Sequence, residues 1–113
     1  MNKIFNGIIF TALLFSACSK IPVVELPITT SSPKALEYYK KAMLSAEVGD
    51  DFEKRQYLDS ALFLDPDFVM ALDRYESLDP IKKREQREKA KSLQNTVTEA
   101  EQLILNIRNA YRD

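Results

Sequence analysis

The stretch that decides the fold is SPKALEYYKKAMLSAEVGDDFEKRQYLDSALFLDPDF, residues 32–68. Its opening predicts the start of a helix, because Ser32 suits the N-cap and Pro33 suits the first helical position. Small and apolar residues then recur three and four positions apart, which predicts one buried stripe along this helix. The stripe consists of Ala35, Tyr38, Tyr39, Ala42, Met43 and Ala46.

A second helix is predicted directly after the first. The segment Gly49-Asp50-Asp51 breaks the first helix, and the next one runs from about Phe52 to Leu64, where Asp65-Pro66 ends it. A connection this short makes the two helices antiparallel, as in a helical hairpin. Only two glycines and no tryptophan in 113 residues argue against an all-β fold, which needs many turns.

Three further helices are predicted after the hairpin. A short one starts near Phe68 and ends before Asp79-Pro80, a polar one covers residues 80–93, and Thr98-Glu99-Ala100-Glu101 is a capping box that opens the last. The last helix has one apolar stripe, formed by Leu103, Ile104, Ile107 and Tyr111. Residues 81–92 offer little apolar surface, so this stripe is expected to pack back on the hairpin or on another chain. The predicted fold is all-α with about five helices.

The composition predicts a protein without catalytic equipment, metal or cofactor. One cysteine excludes an internal disulfide framework and a cysteine-based zinc cluster, and the lack of histidine removes the commonest general base. The acidic residues around Asp50 and Asp65 do not match a calcium-binding loop, and turn or N-cap roles explain them better.

Residues 82–91 form the most strongly charged run in the sequence, with six basic and two acidic residues. Arg84 with Glu88, and Glu85 with Lys89, are spaced four apart, as expected on a solvated helix face. No aromatic residues alternate with the basic ones, and the whole chain has a net charge of −1. Nucleic acid is therefore not an expected partner.

The N-terminus has the layout of a secretory signal. Lys3 precedes an apolar run at residues 8–15, and the small residues Ser16 and Ala17 follow it. The apolar stretch is too short for a helix that must cross about 30 Å of hydrocarbon.

The end of this segment, Phe15-Ser16-Ala17-Cys18, resembles a bacterial lipobox, with phenylalanine where leucine is usual. In bacterial lipoproteins a diacylglyceryl group is attached to the cysteine thiol. Cleavage then leaves that cysteine as the first residue of the mature chain. The resemblance implies a signal peptide at 1–17, a lipidated Cys18 with an extended tether at 18–31, and a helical domain at 32–113. An ordinary signal cut after Ala17, or a buried cysteine without cleavage, stays open.

The hairpin at residues 35–66 resembles one tetratricopeptide repeat (TPR), a helix-turn-helix unit of about 34 residues. The resemblance is carried by Tyr38, Ala42, Gly49, Leu58, Ala61 and Pro66, and it extends more weakly over residues 28–108. Lys41, Ser45 and Lys54 depart from the repeat pattern. The first helices of TPR units line a concave binding face, which implies Tyr39, Met43 and Glu47 as contact residues.

Together these features predict a lipoprotein that acts as a protein-interaction or scaffolding module. Its expected partners are membrane lipid, through acylated Cys18, and a protein or a second copy of the chain, with the stripe of the last helix as a further contact candidate. A residue after Cys18 that is not acidic favours, by resemblance to Gram-negative lipoproteins, the outer membrane and its periplasmic face. The alternatives are a shortened relic of a longer repeat protein and a lipid-anchored accessory subunit of an enzyme.

Overall fold

The computed structural model describes residues 25–112, and within this range the chain forms five α-helices and no strand. The helices are α1 (Pro33–Glu47), α2 (Asp51–Leu64), α3 (Val69–Arg74), α4 (Pro80–Leu93) and α5 (Glu99–Ala110), and a 3-10 turn at Gln94–Thr96 joins the last two. The predicted all-α class is confirmed for these residues. The predicted signal peptide and Cys18 lie outside them.

The turn between α1 and α2 follows from local chemistry. Ser32 caps α1, since its hydroxyl accepts the Ala35 amide at 3.1 Å. Gly49 ends the helix with φ of 78°, a left-handed conformation that L side chains rarely adopt. Asp50 then caps α2 by accepting the Glu53 amide at 2.9 Å. Each cap uses only neighbouring residues, so the hairpin is specified locally.

Two of the residues that depart from the TPR pattern, Lys41 and Ser45, connect α1 with α2. The Lys41 ammonium lies 5.7 Å from the ring centroids of both Tyr38 and Tyr57, a cation–π arrangement. One turn later, the Ser45 hydroxyl donates to the Glu53 carboxylate at 2.7 Å. The pairing of earlier residues in α1 with later residues in α2 shows that the helices are antiparallel.

The third departure, Lys54, joins α2 to the segment after α3. Its side chain is nearly buried and forms an ion pair with Glu76 at 3.2 Å. Burial alone would raise the pKa of Glu76, but the hydrogen bond and charge of Lys54 lower it below its ordinary value. A nearly buried lysine is therefore tolerated at this position because its charge is paired with the Glu76 carboxylate.

The core is centred on α3, although α3 is the shortest helix. Its residues Val69 to Asp73 are all buried, and no side chain caps its N-terminus. Phe68, just before it, is fully buried with its ring 5.2 Å from that of Tyr39 on α1. A six-residue helix is not stable alone in water, so tertiary burial holds α3 in place.

Residues 28–31 of the predicted tether are bound to the helical body. The amide and hydroxyl of Thr29 donate to Glu101 at 2.8 and 2.6 Å. The Thr30 hydroxyl and the Ser31 amide donate to Asp65 at 2.6 and 2.9 Å. Two buried carboxylates, one from α5 and one from the end of α2, therefore fasten the chain before it enters α1.

Because residues 29–31 are held by two carboxylates, we expect their attachment to the helical body to be sensitive to acid. Burial opposes ionisation of Glu101, but bonds from Thr29 and Thr98 hold its pKa below the ordinary 4.5. Burial likewise opposes ionisation of Asp65, and bonds from Thr30 and Ser31 hold its pKa below 3.8. A lowered folded pKa gives stability that is complete above the ordinary value and is lost as the pH falls through the folded one.

We therefore expect the NMR amide signal of Thr29 to keep its bound position until the pH falls below 4.5, and that of Ser31 until the pH falls below 3.8, because each contact is lost only as its carboxylate is protonated at a lowered pKa. At neutral pH, Glu101→Gln replaces one of the two acceptor oxygens by an NH2 group that cannot accept, so the bonds from Thr29 or from Thr98 are lost and the free energy of unfolding should fall by about 1–3 kcal/mol. Glu99→Gln is the matched control, because Glu99 is exposed in the same helical turn. Equal shifts in both variants would contradict this assignment.

Candidate functional site

An open groove with a volume of about 960 Å³ lies on the surface of the described part of the chain. Its walls come from residues 25–28, α1, α3 and α5. The volume lies at the upper end of the range for ligand sites, about 300–1,000 Å³. We call this the α1 groove, because α1 contributes the most lining residues.

The α1 groove brings together four residues that the sequence suggested as contacts. Tyr39, Met43 and Glu47 are spaced four apart and therefore lie along one face of α1. Ile104 of α5 lines the groove from another wall and packs partly against the core. Of these residues Tyr39 is almost fully buried, Met43 is half-buried and Glu47 is exposed.

The groove is mainly apolar. Met43 and Met70 belong to its lining, and flexible methionine side chains can adapt to different apolar partners. At its rim, Leu26 is 53% exposed and Leu44 is 62% exposed. Adjacent exposed leucines over an apolar depression are typical of interaction surfaces.

The polar groups of the groove are few. Burial raises the pKa of the Tyr39 phenol, although the neighbouring Arg74 acts in the opposite direction, so the hydroxyl stays neutral at physiological pH. The Nε atom of Arg74 is buried and has no hydrogen-bond partner among the described residues. A buried donor of this kind costs free energy unless it is satisfied.

One ion pair closes the groove on the side of the N-terminal segment. The Lys40 ammonium of α1 lies 2.9 Å from the Glu25 carboxylate, and both side chains are partly solvated. A solvated pair contributes little stability, about 0–1 kcal/mol. Residues 25–27 are thus held mainly by the anchors at Thr29 and Thr30.

The other three predicted contact residues lie outside the groove. Leu103, Ile107 and Tyr111 are exposed, the last at 89%. The buried face of α5 instead carries Glu101 and Leu105. Of the predicted stripe, only Ile104 packs back on the core.

Sequence reasoning missed the contributions of α3 and of residues 25–28. Met70 and Arg74 belong to a segment whose position depends on tertiary packing, so no local pattern placed them beside α1. The apolar Ile28, directly before the polar residues 29–32, was the one available signal, and it packs against the core.

Within residues 25–112, no three His, Cys, Asp or Glu side chains converge in a way that could hold a metal ion. None of the helices described is both long and apolar enough to cross a bilayer. In comparisons with known proteins, the chain matches no protein-family model, no curated protein and no solved structure. The α1 groove is accordingly the feature on which a functional proposal can rest.

Proposed function

We propose that the protein is a lipoprotein, anchored to membrane lipid through Cys18, whose helical hairpins bind a partner protein in the α1 groove. The observation that carries the proposal is the groove itself, with two exposed leucines at the rim of an apolar depression. Burying each such side chain contributes about 1.5–3 kcal/mol. Leaving them in water is unfavourable unless a partner covers them.

The shape of the groove favours a helix as the bound segment. Its lining on α1 extends from Leu36 to Glu47, about 16 Å of helix. Amphipathic helices commonly bind in apolar grooves through residues spaced three and four apart. Arg74 also lines the groove, and its guanidinium could pair with an acidic or carbonyl group of the bound segment.

The TPR assignment and the envelope location belong to the same proposal. The antiparallel pair α1–α2, joined by a tight turn at Gly49, supports a TPR-type unit. Ile28 is the tenth residue after Cys18, a reach of at most about 36 Å when the chain is extended. An anchor at Cys18 would therefore keep the groove near the membrane surface, on the periplasmic face if that membrane is the outer one.

Site-specific photo-crosslinking of the full chain in cells tests this proposal. A benzophenone amino acid at Met43, inside the groove, is expected to give one discrete adduct. The same probe at Phe63, which is exposed on α2 and does not line the groove, should give none. An adduct of twice the protein mass identifies a second copy, and any other mass identifies a different partner.

A rim substitution makes the result specific to the groove. Leu26→Lys with Leu44→Lys should reduce the Met43 adduct about tenfold or more, because two apolar contacts are lost. Both leucines are exposed, so folding should be unaffected. The matched control is Phe52→Lys with Phe63→Lys, two exposed residues of α2. No adduct from Met43, or equal loss in both double variants, would contradict the proposal.

A further inference from the structure

A second concavity, with a volume of about 360 Å³, lies between α4 and the end of α5. Five basic side chains line it, and one acidic side chain accompanies them. The basic residues are Lys83, Arg84, Arg87, Lys91 and Arg112, and the acidic one is Glu88. We propose that this basic cleft binds a phosphate group. The proposal shares no residue with the α1 groove and does not depend on it.

The cleft is a product of the tertiary structure. Arg84, Arg87 and Lys91 are spaced three and four apart and so share one face of α4. Alone, that face would be a solvated helix surface. The second wall is formed by Asn109 of α5 and by Arg112, just after the helix. Arg112 is held in place because it donates to the Asp73 carboxylate at 2.7 Å and to the Asp73 carbonyl at 3.1 Å.

Much of the positive charge in the cleft is not neutralised. Among the described residues, no carboxylate lies within ion-pair distance of Lys83, Arg84 or Arg87. Lys91 forms a partly exposed pair with Glu88 at 3.6 Å. Like charges this close on one helix repel each other, and an anion would remove that repulsion.

Arg87 is the half-buried arginine on the α4 side of the cleft. Its Nε atom is buried and has no hydrogen-bond partner within the described part of the chain. Glu76 is near enough for Lys83 and Arg87 to help lower its pKa, but its carboxylate already pairs with Lys54. The described residues therefore do not saturate the guanidinium, and its solvent-facing nitrogens can donate to an oxyanion in the cleft.

A phosphate group fits this donor set. A guanidinium donates two parallel bonds to two phosphate oxygens, and lysines add point charges around them. A phosphate that carries one or two negative charges also suits a cleft with several cations better than a single carboxylate does. The group could belong to a phospholipid headgroup or to a free phosphate, and both share this chemistry.

Isothermal titration calorimetry on the full chain, in an uncharged detergent, tests the proposal with two water-soluble probes. Inorganic phosphate represents the free ion, and glycerophosphoglycerol represents an anionic lipid headgroup without its acyl chains. Arg84→Gln with Arg87→Gln should weaken binding about tenfold or more, since charge-assisted bonds are lost. Lys34→Gln with Lys40→Gln removes the same charge from α1 and should change binding less than about twofold.

The outcomes separate the sources of the phosphate. Tighter binding of glycerophosphoglycerol assigns a lipid headgroup, and tighter binding of inorganic phosphate assigns a free phosphate. Absence of saturable binding for both probes, or equal weakening in the two double variants, overturns the proposal. Arg84→Gln alone is the second variant, because Arg84 is exposed and its replacement leaves the fold intact. It should also weaken binding, to a smaller extent.

Discussion

Replacing Cys18 by serine is expected to abolish fatty-acid labelling of the protein completely. The diacylglyceryl group of a lipoprotein is attached to a thiol, and Cys18 is the one cysteine in the sequence. Each acyl methylene in the bilayer stabilises binding by about 0.8 kcal/mol, so a doubly or triply acylated chain is retained almost irreversibly. Metabolic labelling with an alkyne fatty acid, followed by membrane fractionation, measures both the modification and the retention.

The control for this experiment changes the neighbouring residue. Ser19→Ala leaves the cysteine and the small residues before it intact, so labelling should equal that of the wild-type chain. Equal labelling of the wild-type and Cys18→Ser proteins would show that no lipid is attached at this thiol. The anchoring part of the proposed function would then fail, while the groove could still bind a partner.

Asp73→Ala is expected to lower the free energy of unfolding by about 3–5 kcal/mol, the range for breaking a buried ion pair. Only 3% of the Asp73 side chain is exposed, and both Arg108 of α5 and Arg112, just after α5, donate to its carboxylate. Removing that carboxylate leaves two partly buried guanidinium groups without their acceptor. The whole free energy of unfolding of a small domain is about 5–15 kcal/mol. The variant should therefore unfold at a much lower urea concentration than the wild type. Circular dichroism during urea denaturation measures the change.

A matched substitution distinguishes the buried pair from the general loss of a carboxylate. Asp67→Ala removes a carboxylate that is 71% exposed and pairs with Lys89 at 2.9 Å. Solvated pairs of this kind contribute about 0–1 kcal/mol, so this variant should be nearly as stable as the wild type. If Asp73→Ala were equally stable, the attachment of α5 to α3 would have to rest on other contacts. A double-mutant cycle of Asp73→Ala with Arg108→Ala would show their coupling.

Helix boundaries were predictable because the signals that set them are local. Pro33 begins α1 and Pro80 begins α4 at the positions expected from the sequence, and the capping box at Thr98 opens α5. The main difference concerns α3, which ends at Arg74 rather than close to Asp79. Residues 75–79 leave the helix without a proline or glycine to stop it, and the Tyr75 side chain is buried.

The candidate site was predictable only in part. The face of α1 with Tyr39, Met43 and Glu47 followed from helical spacing and the TPR resemblance, and it does line the α1 groove. The other walls of the groove could not be predicted from the sequence. Arg74 is distant in sequence from α1, and residues 25–28 lie in irregular structure. Local periodicity carries no information about such contacts.

The sequence by itself determined the all-α class, the caps and the turn at Gly49, because each depends on residues within about one helical turn. Only the tertiary structure decided which face of α5 is buried. The apolar pattern favoured the stripe that contains Leu103 and Ile107, but the fold buries Glu101 and Leu105. A hydrophobicity pattern predicts every carboxylate to be on the surface, because the pattern carries no information about the hydrogen-bond donors that a carboxylate meets in the folded chain. In the folded chain the capping-box bond from Thr98 to Glu101 is local, but the bonds from Thr29 that further offset the desolvation of Glu101 exist only after distant segments have met.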